Sequence, residues 1–156
     1  MTTRQPSQPQ RPPGLPNDYL NGGYFDEEGH LRVQVVGDWA RQVARALIGP
    51  NPQRPLMASN QLRNFYTKVR IAERKLDAGQ SFAALRAEIS SLERDAATAV
   101  GRQNAPEVFK EFIDKNMPLV LVKEEAFRQG FLEHFQSIVG FHKYEEWRGG
   151  QSRPRR

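Results

Sequence analysis

Apolar residues recur every three or four positions over much of this chain, and that spacing places them on one face of an α-helix. The clearest series starts after Ser59, a residue type that often caps a helix, and stops at Gly79. Its apolar positions are Leu62, Phe65, Tyr66, Val69, Ala72 and Leu76. A second series, from Ser81 to Gly101, comprises Phe82, Leu85, Ile89, Leu92, Ala96 and Ala99. The connection between them is short, so we expect the two helices to pack as an antiparallel hairpin.

Apolar residues with helical spacing also occur before and after these two predicted helices. Asp38 is a predicted cap for a helix that ends at Gly49 and buries Trp39, Val43, Ala46 and Leu47. A shorter helix is predicted to begin at Asn104 and Pro106 and to be interrupted near Pro118, because proline cannot donate a helical hydrogen bond. Its buried positions are Val108, Phe109, Phe112 and Ile113.

A last helix is predicted to begin near Lys123. Its apolar face comprises Phe127, Phe131, Phe135, Ile138, Val139 and His142. Gly130 and Gly140 stand where helix propensity favours alanine, and we interpret both as points where a neighbouring helix approaches closely. Residues 24–36 alternate too briefly for a strand and indicate a short extended arm or hairpin.

The two ends of the chain have a different composition. Five of the eleven prolines fall in the first sixteen residues, among polar side chains that cannot offset the entropy of ordering the chain. We therefore expect residues 1–17 to be disordered, and likewise residues 148–156, which contain the Gly149-Gly150 break after Trp147. Residues 18–147 are predicted to form one domain, an all-α, compact five-helix bundle.

The positive charge of the chain is unevenly distributed. The net charge is +5, but the acid-free tails contribute +6, so residues 18–147 sum to −1. Within that body, residues 60–103 carry eight basic and five acidic residues. Within residues 60–76 of the second predicted helix, Glu73 is the one acid among Arg63, Lys68, Arg70, Arg74 and Lys75, and such a face suits a phosphate backbone. A solvated surface helix would carry similar residues, so the charge alone leaves both interpretations open.

Several kinds of chemistry find no support in the sequence. There is no cysteine, which excludes thiolate metal sites and disulfides, and no apolar run reaches the ~18 residues that a membrane-spanning helix requires. His134 and His142 share one side of the last helix without the further ligands that a metal site needs. No phosphate-binding loop or nucleophile elbow is present. We therefore predict a cytoplasmic protein without catalytic residues, metal or cofactor.

Three segments together resemble a known family. Residues 59–66 (SNQLRNFY) open one helix, residues 99–102 (AVGR) close the next, and residues 138–144 (IVGFHKY) lie near the carboxyl end, with residues 109–115 (FKEFIDK) between them. In order and spacing, over about residues 38–147, they are similar to the small helical subunit of the type III-A CRISPR effector, the Csm complex. Val100 and the Gly140-Phe141 pair depart from the usual family residues, and residues 1–36 have no counterpart.

This resemblance implies a five-helix bundle that stacks in several copies along the complex in antiviral defence. Its expected partners are guide RNA, target RNA, other Csm subunits and copies of itself, without a membrane. It implies no active site, since RNA cleavage and cyclic oligoadenylate synthesis belong to other subunits. The basic positions that match the family are Arg63, Arg102 and Lys143. Helical geometry adds Lys68, Arg70 and Arg128 to the predicted RNA-binding set.

Two other classes of function remain open at this point. A protein–protein adaptor would use exposed aromatic residues, and its basic helix would have no nucleic-acid role. Tyr24, Phe25 and Trp147 are candidates for such a role, as residues that would cover neighbouring subunits rather than their own core. A helical DNA-binding regulator is less favoured, because no short helix-turn-helix pair is evident.

Overall fold

Helices account for the architecture of residues 14–151, the part of the chain that the computed structural model describes. The α-helices are α1 (Val33–Val36), α2 (Asp38–Ile48), α3 (Ser59–Asp77), α4 (Phe82–Ser90), α5 (Leu92–Gly101), α6 (Glu107–Val120) and α7 (Leu132–Gln151). A π-helical segment, Ala126–Phe131, leads directly into α7. Gly37 separates α1 from α2, and Ser91 separates α4 from α5. These elements therefore form five helical units within residues 14–151, and the predicted all-α five-helix fold is confirmed.

The predicted apolar faces form one core. Phe112 on α6 lies at its centre, with ring centroids 5.5 to 6.2 Å from those of Phe109, Phe131, His134 and Phe135. Phe65 brings α3 to the same cluster through Phe109, at 4.7 Å between centroids. The faces predicted for α3 and for α4–α5 are buried, apart from Tyr66 and Phe82, which are partly buried against the core.

The segment before α1 completes this core. Phe25 and Leu31 form a single antiparallel bridge, so residues 24–31 make a minimal hairpin. Tyr19 and Tyr24 are buried, and Phe25 packs partly on the core. The idea that Tyr24 and Phe25 cover neighbouring subunits is therefore wrong, because both rings pack within their own chain.

A buried polar network fixes this segment on α6 and α7. The Tyr19 hydroxyl lies 2.6 Å from Nε2 of His134, and Nδ1 of His134 lies 2.6 Å from the Val35 carbonyl oxygen. Because that carbonyl can only accept, Nδ1 donates, and the neutral Nε2 accepts from Tyr19. Asn116 donates to the Tyr19 hydroxyl and to the Phe112 carbonyl, and its Oδ1 accepts from Tyr24. Each polar group in the network has a partner, which makes its burial tolerable.

Two expected helix caps and one expected interruption are wrong. Asp38 and Ser59 begin α2 and α3, but neither side chain caps its helix; Asp38 pairs with Arg41 instead. Pro118 lies inside α6, which continues to Val120. Proline there removes one hydrogen bond to the Asp114 carbonyl, a loss that the buried side chains of the last turn offset.

Both glycine interpretations for the last helix also need correction. A Cβ at Gly130 would lie 2.5 Å from the Tyr24 ring, so the close neighbour is the amino-terminal segment and not a helix. At Gly140 nothing lies within 4 Å of such a Cβ.

The ends of the ordered region differ from the predicted boundaries. Helix α7 continues through Gly149-Gly150 to Gln151, and a Cβ at Gly149 would lie 2.6 Å from Pro52, which explains the need for glycine there. At the other end, Leu15 packs against the core. The disorder predicted for residues 1–13 and 152–156 lies outside the described residues.

The contrast between the two helical glycines gives a stability prediction. Gly130→Ala should destabilise the protein by about 1 to 3 kcal/mol, because the added methyl group must displace the Tyr24 ring. Gly140→Ala, the matched control, should be neutral or stabilising by up to about 1 kcal/mol, because alanine is the better helix former. Urea unfolding of both variants measures the difference. Equal effects would contradict the proposed contact.

The buried imidazole gives a second prediction. Burial lowers the pKa of His134 to about 4, although its hydrogen bond to Val35 opposes that shift. The unfolded chain, with a pKa of about 6.5, binds the proton first, so stability is complete above that pH and falls as pH drops toward about 4. At about pH 5 the expected loss is about 2 kcal/mol.

Urea unfolding at about pH 7 and about pH 5 tests this loss. His134→Gln should show a shallower pH dependence than the unmodified protein. A residual slope is expected from His142, whose pKa burial also lowers. The same loss in the variant would rule out His134 as its source.

Candidate nucleic-acid interface

Helix α3 carries three of the six predicted RNA-binding residues, and other helices border it on both sides. Its apolar positions face the core, so the opposite face is open to solvent. The seam with α7 forms one border, which we name the α7 flank. The seam with α4 and α5 forms the other, the α5 flank. The two flanks are separated by about one helix width, roughly 10 Å.

Three contacts define the α7 flank. The Ser59 hydroxyl donates to Oε2 of Glu146 at 2.7 Å. Tyr66 lies beside Phe135, with 5.6 Å between ring centroids. Farther along, Nη2 of Arg128 donates to Oδ1 of Asp77 at 2.8 Å. The two helices therefore run antiparallel along this seam.

A shallow groove marks the α5 flank. Its lining includes Gln61, Asn64, Lys68, Asp95, Thr98 and Arg102. Nζ of Lys68 lies 3.2 Å from Oδ2 of Asp95, and Nζ of Lys75 lies 2.7 Å from Oε1 of Glu88. These ion pairs connect α3 to the α4–α5 unit across the groove.

The structure divides the six predicted RNA-binding residues between the two flanks. Helical spacing places Arg63 and Arg70 on the α7 flank, as neighbours of Ser59 and Tyr66 on the helix surface. Arg128 and Lys143 lie across the same seam, on the π-helical segment and on α7. Lys68 and Arg102 lie on the α5 flank. All six border the exposed face of α3, but they do not form one compact cluster.

Carboxylates engage four of these six side chains. Lys68 pairs with Asp95, Arg70 with Glu73, Arg128 with Asp77 and Glu124, and Lys143 with Glu146. Such surface pairs are weak, yet each places a negative charge where a phosphate would bind. The hydrogen bond that Arg128 donates to Asp77 raises the pKa of Arg128. Burial raises the pKa of Glu146, but the hydrogen bond from Ser59 and the charge of Lys143 lower it overall.

The remaining two side chains are unpaired. Arg63 and Arg102 are exposed, and neither side chain makes a hydrogen bond or ion pair to any residue in the range 14–151. Their guanidinium groups are therefore the most available phosphate ligands of the predicted set.

Arg74 belongs with them, although it was not in the predicted site. It is exposed and has no ion-pair partner among the residues described. It follows Arg63 by eleven positions, or three turns, so the two side chains share a face about 16 Å apart. Arg63 has no acid three or four positions away, whereas Arg74 has Asp77 three positions on, the spacing at which Arg70 meets Glu73. Asp77 pairs with Arg128 instead, so the spacing in the sequence did not single out Arg74.

The histidines serve the core. Nε2 of His142 lies 2.8 Å from the Met57 carbonyl oxygen, and His134 belongs to the buried tyrosine network. Residues 14–151 contain no group of three or more His, Cys, Asp or Glu side chains placed to hold a metal ion. None of the helices in this range combines the length and apolar character that crossing a bilayer requires.

Comparison with known proteins gives one match. A family model described as Csm2 Type III-A matches residues 33–148, from the start of α1 almost to the end of α7. No curated protein and no solved structure matches the chain. The matched range contains all six predicted RNA-binding residues and Arg74, and it leaves out residues 14–32, which hold Tyr19 and Tyr24.

Proposed function

This chain belongs to the Csm2 family, the small subunit of the type III-A CRISPR Csm complex, and from that membership we propose that it contacts the RNA of the complex. In this proposal it is a non-catalytic subunit that binds the backbone of the guide–target duplex without reading its sequence. It acts in the cytoplasm, in antiviral defence, beside other Csm subunits and further copies of itself.

This proposal rests on the guanidinium groups of Arg63 and Arg102, which lie on either side of α3 and have no carboxylate partner among residues 14–151. Arg63 and Arg102 border one exposed face, and Arg74 extends that face along the helix. A guanidinium group that has no carboxylate partner can bind a phosphate without first breaking an ion pair. Three such groups on one face suit a polyanion better than a small ligand.

Sequence-independent binding agrees with the kind of contact available. Phosphate contacts fix position and carry no sequence information, which base pairing between guide and target supplies. A single copy offers few phosphate contacts and should bind weakly. Several copies along one RNA would gain affinity through avidity, because each further contact becomes intramolecular.

The adaptor function remains a second candidate, and exposed apolar side chains favour it. Val33, Val122, Tyr144 and Trp147 are all more than half exposed, and Tyr144 and Trp147 lie side by side, so they offer an apolar surface that a partner could cover. In that case assembly of the complex would depend on these apolar side chains, and substitution of the arginines would not change its affinity for RNA.

A charge-matched pair of variants tests the proposed RNA contact. Arg63→Ala with Arg102→Ala, in the assembled complex, should weaken target-RNA binding and reduce the log–log salt slope by about 0.7 to 0.9 per lost contact. Arg54→Ala with Arg86→Ala removes the same charge from exposed residues that are also unpaired within residues 14–151. Filter binding over a salt series measures both. Equal slopes for the two double variants would remove the proposed surface.

The acid within the groove offers a gain-of-affinity test. Asp95→Asn removes the carboxylate that pairs with Lys68 near Arg102, so RNA affinity should rise by up to about fivefold at low salt. Asp38→Asn is the control, because Asp38 pairs with Arg41 on α2, away from α3. The same assay measures both, and thermal unfolding checks that each variant is folded. Unchanged or lower affinity for Asp95→Asn would contradict phosphate binding in this groove.

A further inference from the structure

Two aromatic side chains near the carboxyl end of α7 have no role in the fold. Tyr144 is 53% exposed and Trp147 is 57% exposed, and their ring centroids lie 6.0 Å apart with the planes inclined by 30°. The other tryptophan, Trp39, is 2% exposed in the core. A tyrosine–tryptophan pair that stays in solvent leaves two large π faces available to a ligand.

The surface beside this pair is open. Gly140 precedes Tyr144 by four positions and Trp147 by seven, so the three residues share one face of α7. Nothing lies within 4 Å of a Cβ built at Gly140, and the packing of this chain therefore does not explain the glycine. A flat ring could lie along the helix here without meeting a side chain from Gly140.

Basic residues flank the aromatic pair on α7 and follow it in the sequence. Lys143 and Arg148 flank it on α7, and both side chains are more than half exposed although they pair with Glu146 and Glu145. Residues 141–156 carry five basic and two acidic residues, a net charge of +3, and no acid follows Glu146. Within residues 141–151 the two basic and two acidic residues balance, so this net positive charge comes from the three arginines that follow Gln151 in the sequence.

We propose that Tyr144 and Trp147 form a stacking platform for unpaired bases of single-stranded RNA. Aromatic side chains within a positively charged surface are the general means of binding single strands, because every base presents a π face. The inference rests on the proposed RNA-contacting function and adds to it a base contact, at a site distinct from Arg63 and Arg102. Lys143, whose ammonium group lies 3.6 Å from the Glu146 carboxylate, would exchange that partner for a phosphate beside the stacked base.

The charge around the pair favours a nucleic acid over a protein partner. The core of a protein–protein interface is depleted of lysine and of acidic residues. Here Lys143 and Glu146 lie beside the rings on α7, and the sequence after Gln151 adds three arginines and no acid. A polyanion satisfies these charges and the rings together.

The test uses the full chain and a single-stranded oligouridylate of about twelve nucleotides, within the range of single-strand site sizes. Binding should quench the emission of Trp147 and leave that of the buried Trp39. Trp147→Leu should weaken binding, measured by anisotropy of the labelled RNA, by about 5- to 150-fold, which corresponds to the loss of one stacked base. Trp147→Phe should retain most of the affinity, because a ring remains.

Two controls separate stacking from other roles. Val122→Ala removes an apolar side chain that is 73% exposed, just before the π-helical segment, and should leave RNA affinity unchanged. Blunt duplex RNA should bind the protein and Trp147→Leu equally, since it offers no unpaired bases. Unquenched emission together with unchanged affinity of Trp147→Leu would overturn the proposal.

A protein-binding role for the pair would give a different result. In that case Trp147→Leu would reduce self-association or incorporation into the complex, measured by sedimentation, while single-strand affinity stayed the same, and the stacking proposal would be wrong. The double variant Arg63→Ala with Arg102→Ala distinguishes the proposed backbone contact from the proposed base contact. If it weakens duplex binding while Trp147→Leu has no effect, the backbone contact stands without the base contact.

Discussion

The packing of Phe112 is the constraint on which the rest of the structure depends. Its ring meets aromatic rings from α6, the π-helical segment and α7, and Phe65 joins the same cluster from α3. Because this cluster positions α3 against α7, it also determines where the basic face lies. Tyr19 and Tyr24 complete it from residues outside the family match, through hydrogen bonds to His134 and Asn116. The amino-terminal segment, which lies outside the matched range, therefore closes the core of the helical bundle.

Periodicity was sufficient to predict the helices, because burial of one face is a local property of the sequence. The stripes from Leu62 to Leu76 and from Leu85 to Ala99 are buried as expected. Predictions of helix ends were weaker, since they depend on distant contacts. Ser59 donates to Glu146 instead of capping α3, and Gly149 allows Pro52 to approach α7 rather than ending the helix. The role of Tyr24 at Gly130 required knowledge of a contact more than a hundred residues away in the sequence.

The sequence was sufficient to predict which basic residues lie on this face, but not which of them are neutralised by nearby acids. Arg63, Lys68 and Arg70 all lie along the borders of the exposed face of α3, as helical geometry requires. Their partners differ, however, because Asp95 and Asp77 reach Lys68 and Arg128 from 27 and 51 residues away in sequence. Only the fold shows which cations those acids engage. Arg63, Arg74 and Arg102 stand out for that reason, and sequence alone ranked Arg74 below residues that prove to be paired.

Carboxylates neutralise only some of the basic residues around α3. This partial neutralisation agrees with the proposed function, in which several copies of the subunit act together. If all the cations on and around α3 were free, one molecule would bind any RNA tightly, and a complex that finds its target by base pairing would lose discrimination. With carboxylates on Lys68, Arg70, Arg128 and Lys143, each copy retains only a few available phosphate ligands. Affinity then depends on the number of copies held along one RNA and on their spacing. In the proposed function, the acids beside these cations would thus favour RNA binding by the assembled complex over RNA binding by the single chain.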